Sequence, residues 1–203
     1  MNRLTFWTIL ALACLTASRA GAQNSRWDVS LSAGGAFPAG TFVNFNAFYA
    51  KGYAKTGWDA DAMATYRVWK NWGVTVLAGY QDNPYDSRNN GALDLPSFTA
   101  VRLMAGPSYR IPLRLDKGWS LTARLLVGAQ RSDLDFSHHE STPFTWEPGL
   151  ELQRDLGKNL YLKLGGDYTF SQGNSDVRFS PEVPVYSINR RLIDANLGIG
   201  IRF

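Results

Sequence analysis

Cysteine occurs once, at Cys14, so no disulfide can staple the fold. Histidine occurs only as the adjacent pair His138 and His139. Asp133 and Asp135 lie near that pair, but no fixed ligand spacing surrounds it, so neither a metal nor another cofactor is expected. Apolar runs are short: beyond the N-terminus, none approaches the roughly 20 residues of a spanning helix. A helical period, an internal repeat, a linker and a low-complexity block are all missing too. The length of 203 residues allows one domain.

The N-terminus reads as a secretory signal peptide over residues 1–22. Arg3 supplies a basic start, Leu4 to Leu15 a short apolar core, and Ala20-Gly21-Ala22 a small-residue cleavage site. The Ala11-Leu12-Ala13 run before Cys14 lacks the Leu that lipid attachment favours three places upstream. Cleavage removes Arg3 and Arg19 and no acid, leaving 19 bases against 17 acids over residues 23–203. That near-neutral balance gives no reason to expect nucleic acid as a partner.

What the chain does have is alternation. Eight segments repeat with a period of two, the signature of strands with unlike faces. They are Trp27–Phe37, Trp58–Val68, Gly73–Tyr80, Thr99–Ile111, Trp119–Gln130, Phe144–Leu152, Leu160–Phe170 and Leu192–Phe203. One face carries no charge. The other holds the acids Asp28, Asp59, Asp61, Glu147, Glu151, Asp167 and Asp194 and the bases Arg67, Arg102, Arg110, Arg124, Lys163 and Arg202.

Three features put the apolar face outward. It is too bulky to fit inside eight strands, whose lumen side chains only just fill. The acids and bases are nearly balanced, as an interior of paired charges requires. Aromatics also cluster at strand ends: Trp27, Tyr66, Tyr109, Trp119 and Phe203 at one, and Phe37, Trp58, Tyr80, Phe144, Trp146, Tyr168 and Phe170 at the other. Aliphatic residues fill the middles, and two aromatic girdles around an aliphatic belt match the two membrane interfaces. Short and long connections alternate strictly, as in outer-membrane barrels with short periplasmic turns and long outer loops. Pro107 and Pro148 fall within strands and should cause a bulge or a local break.

The last strand, ending in Ile199, Ile201 and Phe203, resembles the C-terminal assembly signal of bacterial outer-membrane barrels. With the strand count and turn pattern, residues 27–203 resemble the small eight-stranded barrels of the OmpA/OmpX type. The expected fold class is therefore all-β: an eight-stranded antiparallel up-and-down transmembrane barrel over residues 23–203. The resemblance implies residence in the outer membrane of a Gram-negative cell. It also implies outer-membrane lipid, lipopolysaccharide and the barrel assembly machinery as partners.

Such a fold hosts anchors, adhesins, pores and enzymes, so function rests on particular residues. The inward charges are expected to form an ion-pair network plugging the barrel, with Glu147 or Glu151 as partner of Arg124. The first long loop is rich in aromatics: Phe42, Phe45, Phe48, Tyr49 and Tyr53, beside Lys51 and Lys55. Either it offers a contact surface for lipopolysaccharide or an extracellular ligand, or it packs on itself over the barrel mouth. His139-Glu140-Ser141 spells the His-x-Ser of lipid A deacylases, but in a loop rather than on a lipid-facing strand. No catalytic residue is assigned. The leading expectation is a non-enzymatic barrel serving envelope structure or loop-mediated binding and adhesion. The alternatives are a small solute pore and, behind it, a lipid A-modifying hydrolase.

Overall fold

The computed structural model describes residues 26–39, 54–84, 97–113, 118–133, 144–172, 176–177, 186–187 and 190–203. Among these, every regular element is a strand: β1 (Trp27–Ala39), β2 (Gly57–Trp69), β3 (Trp72–Asn83), β4 (Phe98–Pro112), β5 (Trp119–Asp133), β6 (Phe144–Asp155), β7 (Leu160–Gln172), β8 (Asp176–Val177), β9 (Tyr186–Ser187) and β10 (Arg190–Arg202). The eight long strands close into one barrel in the order β1-β10-β7-β6-β5-β4-β3-β2. Each neighbouring pair is antiparallel. The short strands β8 and β9 pair with each other outside the barrel sheet. Closure leaves the barrel sheet without a free edge, so each of its strands has a neighbour on both sides.

The two faces differ as the alternation demands. In β5, Leu125 is 46% exposed while its neighbour Leu126 is fully buried. Leu103, Leu150, Leu164, Ile193 and Leu197 are likewise exposed on the outer wall. Aromatic pairs ring both ends of that wall. Trp27 packs against Tyr66 at 4.9 Å and Trp72 against Tyr109 at 4.8 Å, both with tilted rings, at the end that holds Phe203. Trp58 meets Tyr80 at 5.3 Å and Trp146 meets Phe170 at 5.5 Å at the far end. Trp72 belongs to the near girdle although the alternation by itself leaves it in a turn.

The strands also run longer than the alternation marks. The β2–β3 connection is two residues, Lys70-Asn71, with Lys70 at φ 47° in the left-handed region. The register shift between Arg67 and Trp69 accompanies that sharp turn. The prolines produce breaks without bulges. Pro107 stays in register with Val74 of β3, but pairing with β5 skips from Ala105 to Ser108. Pro148 stays in register with Leu125, while pairing with β7 skips from Trp146 to Gly149. Each proline lacks one donor, and the ladder resumes unshifted beyond it.

Candidate functional site: the charged interior

The period of two aims one residue in two into the lumen, where a lone charge would be costly. The buried charges are accordingly bound to one another across the barrel. Arg102 of β4 is 1% exposed and lies at the centre of the upper layer, toward the long connections. Its Nη2 donates to Asp61 Oδ1 at 3.0 Å. Its Nη1 faces Glu147 Oε2 at 3.1 Å, Asp194 Oδ2 at 3.0 Å and Thr169 Oγ1 at 3.0 Å. Asp59 stands 3.9 Å from Nη2 and makes no hydrogen bond with either oxygen. In the ring of eight strands, β4 and β10 are diametrically opposed. The Arg102–Asp194 contact therefore crosses the whole lumen.

The middle layer turns on Arg124 of β5. It donates to Glu151 Oε2 at 2.8 Å and to both oxygens of Asp167, at 2.7 and 2.6 Å. Lys163 of β7 reaches Glu151 at 3.3 Å and Ser30 at 3.0 Å. Asn196 donates to Asp167 at 3.0 Å, and Gln153 to Glu151 at 2.5 Å. The inward side of β2 to β5 carries an apolar patch: Met63, Leu77, Met104 and Leu126 form one buried cluster.

The lowest layer faces the short turns. Arg202 donates to Asp28 at 3.3 Å, to Gln153 at 2.7 Å and to Asp155. Tyr161 donates to Asp28, and the Arg202 guanidinium lies 4.2 Å from the Tyr161 ring centroid. Arg110 donates to Ser120 at 2.9 Å and approaches Asp155 at 3.7 Å. Arg67 comes no nearer than 3.9 Å to Asp28.

Two glycines make the longer pairs possible. Asp61 and Arg102 sit two strands apart with Gly79 between them, in register with both. A Cβ on Gly79 would lie 2.2 Å from Asp61 Oδ1 and 3.1 Å from Arg102 Nε. Gly149 stands in the same relation to Arg124 and Asp167, where a Cβ would lie 1.8 Å from Asp167 Oδ1. In each case an Arg and an Asp meet over a strand that presents no side chain there.

Asp59, Asp61, Arg67, Arg102, Arg110, Arg124, Glu147, Glu151, Lys163, Asp167, Asp194 and Arg202 all point into the lumen, Arg67 and Arg110 only part-buried near its mouth. Glu151 takes Arg124, while Glu147 goes to Arg102. Several participants are uncharged or lie past the alternating runs: Asp155, Tyr161, Thr169, Asn196 and the two glycines. Tyr161 and Thr169 do carry inward parity. Ile199 and Ile201 face outward on β10, and Phe203 exchanges two backbone hydrogen bonds of 3.0 Å with Trp27, sealing the last strand against the first. The aromatic loop residues Phe42, Phe45, Phe48, Tyr49 and Tyr53 lie outside the described residues, as do His138, His139, Glu140 and Ser141. Among the described residues, no group of acids, histidines or cysteines has the geometry to hold a metal ion.

A closed eight-stranded antiparallel barrel with an apolar outer wall and a charged, filled interior has the fold of the small outer-membrane β-barrels. No family model matches the chain, and no curated protein matches it in sequence. Solved structures do. Neisserial surface protein A superposes with a TM-score of 0.61 at 15% identity, covering 88% of this chain and 98% of that one. The outer membrane protein OprG from Pseudomonas aeruginosa superposes with a TM-score of 0.55 at 14% identity, covering 91% and 99%.

Proposed function

We propose that this protein is a closed, non-enzymatic barrel of the bacterial outer membrane, delivered there by a signal peptide over residues 1–22, which acts through its far-end loops. One observation carries the reading: Arg102 meets Asp194 on the opposite strand at 3.0 Å, so a pair of side chains bars the lumen at full width. A buried guanidinium held by several carboxylates does not leave without a large desolvation cost, so the bar is a stable one. This weighs against a solute pore. The apolar outer wall suits lipid and the aromatic pairs suit its two interfaces. Work is then left to the long connections, residues 40–56, 84–97, 134–143 and 173–189, which all leave the same end of the barrel. Lipopolysaccharide phosphates suit Lys51 and Lys55, and an extracellular ligand suits the aromatics between Phe42 and Tyr53. The terminal strand through Ile199, Ile201 and Phe203 supplies the signal to the assembly machinery.

Complementation of a deletion strain tests this. The intact barrel, and one with Leu77→Met in the lumen, should restore detergent resistance or surface attachment. A barrel with residues 41–53 replaced by a tight turn should reach the membrane in equal amount and fail to restore it. Full restoration by the loop-shortened barrel would refute the loop reading.

A further inference from the structure

The lowest layer holds an excess of positive charge that the ion pairs above do not absorb. Three guanidiniums, Arg67, Arg110 and Arg202, face two carboxylates, Asp28 and Asp155. Both oxygens of Asp28 are already engaged, by Tyr161 and by Arg202. Glu151, the next acid inward, is taken by Arg124, Lys163 and Gln153. One positive charge is left over in that layer, and it sits beside a cavity of about 30 Å³ whose wall includes Arg67, Arg110, Arg124 and Thr122 together with the carboxylates of Asp28 and Glu151.

Two polar atoms at that cavity lack a hydrogen-bond partner. Arg67 Nη2 is buried and makes no hydrogen bond. Thr122 Oγ1 is buried and unpartnered as well. On strands β2 to β4, three hydroxyls form a chain: Thr75 Oγ1 donates to Ser108 Oγ at 3.0 Å and lies 2.8 Å from Thr65 Oγ1. Thr75 has one proton and spends it on Ser108, so Thr65 donates to Thr75. The chain therefore ends with the Ser108 proton unspent, and Ser108 lines the cavity. Two guanidiniums and two spare hydroxyls converge on one small space, beside Asp28 and Glu151, whose carboxylates already accept from Tyr161, Arg202, Arg124 and Gln153.

We infer that this cavity is a binding site for one small monovalent anion, a halide or the carboxylate head of a short acid. One charge is what the excess can neutralise. A single water needs roughly 10–15 Å³ on the same measure, so the cavity of about 30 Å³ admits two or three atoms of that size. The orphaned Arg67 and Thr122 donors gain the acceptor that buried polar groups require. The site opens toward the short turns, which the orientation proposed above places in the periplasm.

Chloride NMR on the purified mature barrel in detergent micelles tests the site. Wild-type protein should broaden the chloride resonance in proportion to its concentration. Arg67→Gln should abolish the broadening and Arg67→Lys should retain part of it. Gly73→Val gives an independent block, since a Cβ on Gly73 already comes within 2.9 Å of Thr65 Cγ2 and 3.1 Å of Ser108 Oγ. Heat-modifiable gel mobility establishes that each variant is a folded barrel. Reversal of the broadening by acetate assigns carboxylates to the site as well, and resistance to acetate restricts it to halides. Broadening absent from the wild type, or undiminished in folded Arg67→Gln and Gly73→Val, overturns the inference.

Discussion

Replacing the two central arginines one at a time should separate them by their partners. Arg124→Met keeps the bulk and removes the charge. Glu151 would still have Lys163 at 3.3 Å and Gln153 at 2.5 Å. Asp167 would keep only the Asn196 amide at 3.0 Å. One carboxylate is thus stranded, and breaking a buried pair from one side costs about 3–5 kcal/mol, so the loss should fall near the lower figure. Arg102→Met is different. Asp59, Asp61, Glu147 and Asp194 all look to that one guanidinium, and no other cation is within 4.0 Å of any of them among the described residues. The loss should reach or exceed the upper figure of about 5 kcal/mol, enough to threaten folding of a domain of ordinary stability. Urea unfolding in lipid vesicles, followed by tryptophan fluorescence, measures both. Adding Asp167→Asn to Arg124→Met should restore most of the first loss, because the stranded charge is gone. Equal losses for the two arginines, or no recovery in the double variant, would refute the assignment of partners.

Other substitutions probe the remaining layers. Gly79→Val should drive Asp61 off Arg102 and cost about 3 kcal/mol. Combined with Asp61→Ala it should cost less than the two changes added separately, as residues in contact do, by urea titration. Leu125→Arg places a charge mid-strand on the outer wall and should cost about 2–4 kcal/mol in lipid, whereas unchanged stability would mean the faces are reversed. Deleting Phe203 removes the two backbone bonds to Trp27 and should lower membrane insertion while leaving export intact, as read by fractionation.

The alternation made the barrel legible because a period of two assigns each side chain to a face without knowledge of anything distant. Leu125 and Leu126, adjacent and opposite in burial, illustrate how far that goes. It does not tell which inward charge meets which. Partners on non-adjacent strands share a height only through the stagger of the closed barrel, and stagger is not written in any one strand. Hence alternation places both Glu147 and Glu151 inside but does not say that Glu151 meets Arg124 while Glu147 meets Arg102. The Asp61–Arg102 pair reaches past β3, which alternation allows but does not select. Its enabling residue is Gly79, whose contribution is the side chain it lacks. Asp155 lies beyond the alternation because its strand outlasts the apolar run that ends at Leu152. Pro107 and Pro148 mark interruptions correctly, but whether a ladder bulges or only skips depends on the register of both neighbours.

The barred lumen is tested most directly by single-channel recording of the purified mature protein in planar lipid bilayers. With Arg102 bound to Asp194 across the full width of the barrel, the wild type should insert and give no conductance steps above the bare-membrane baseline at either polarity. Long-lived, voltage-independent steps from the wild type would contradict a closed interior and make the solute pore the correct reading.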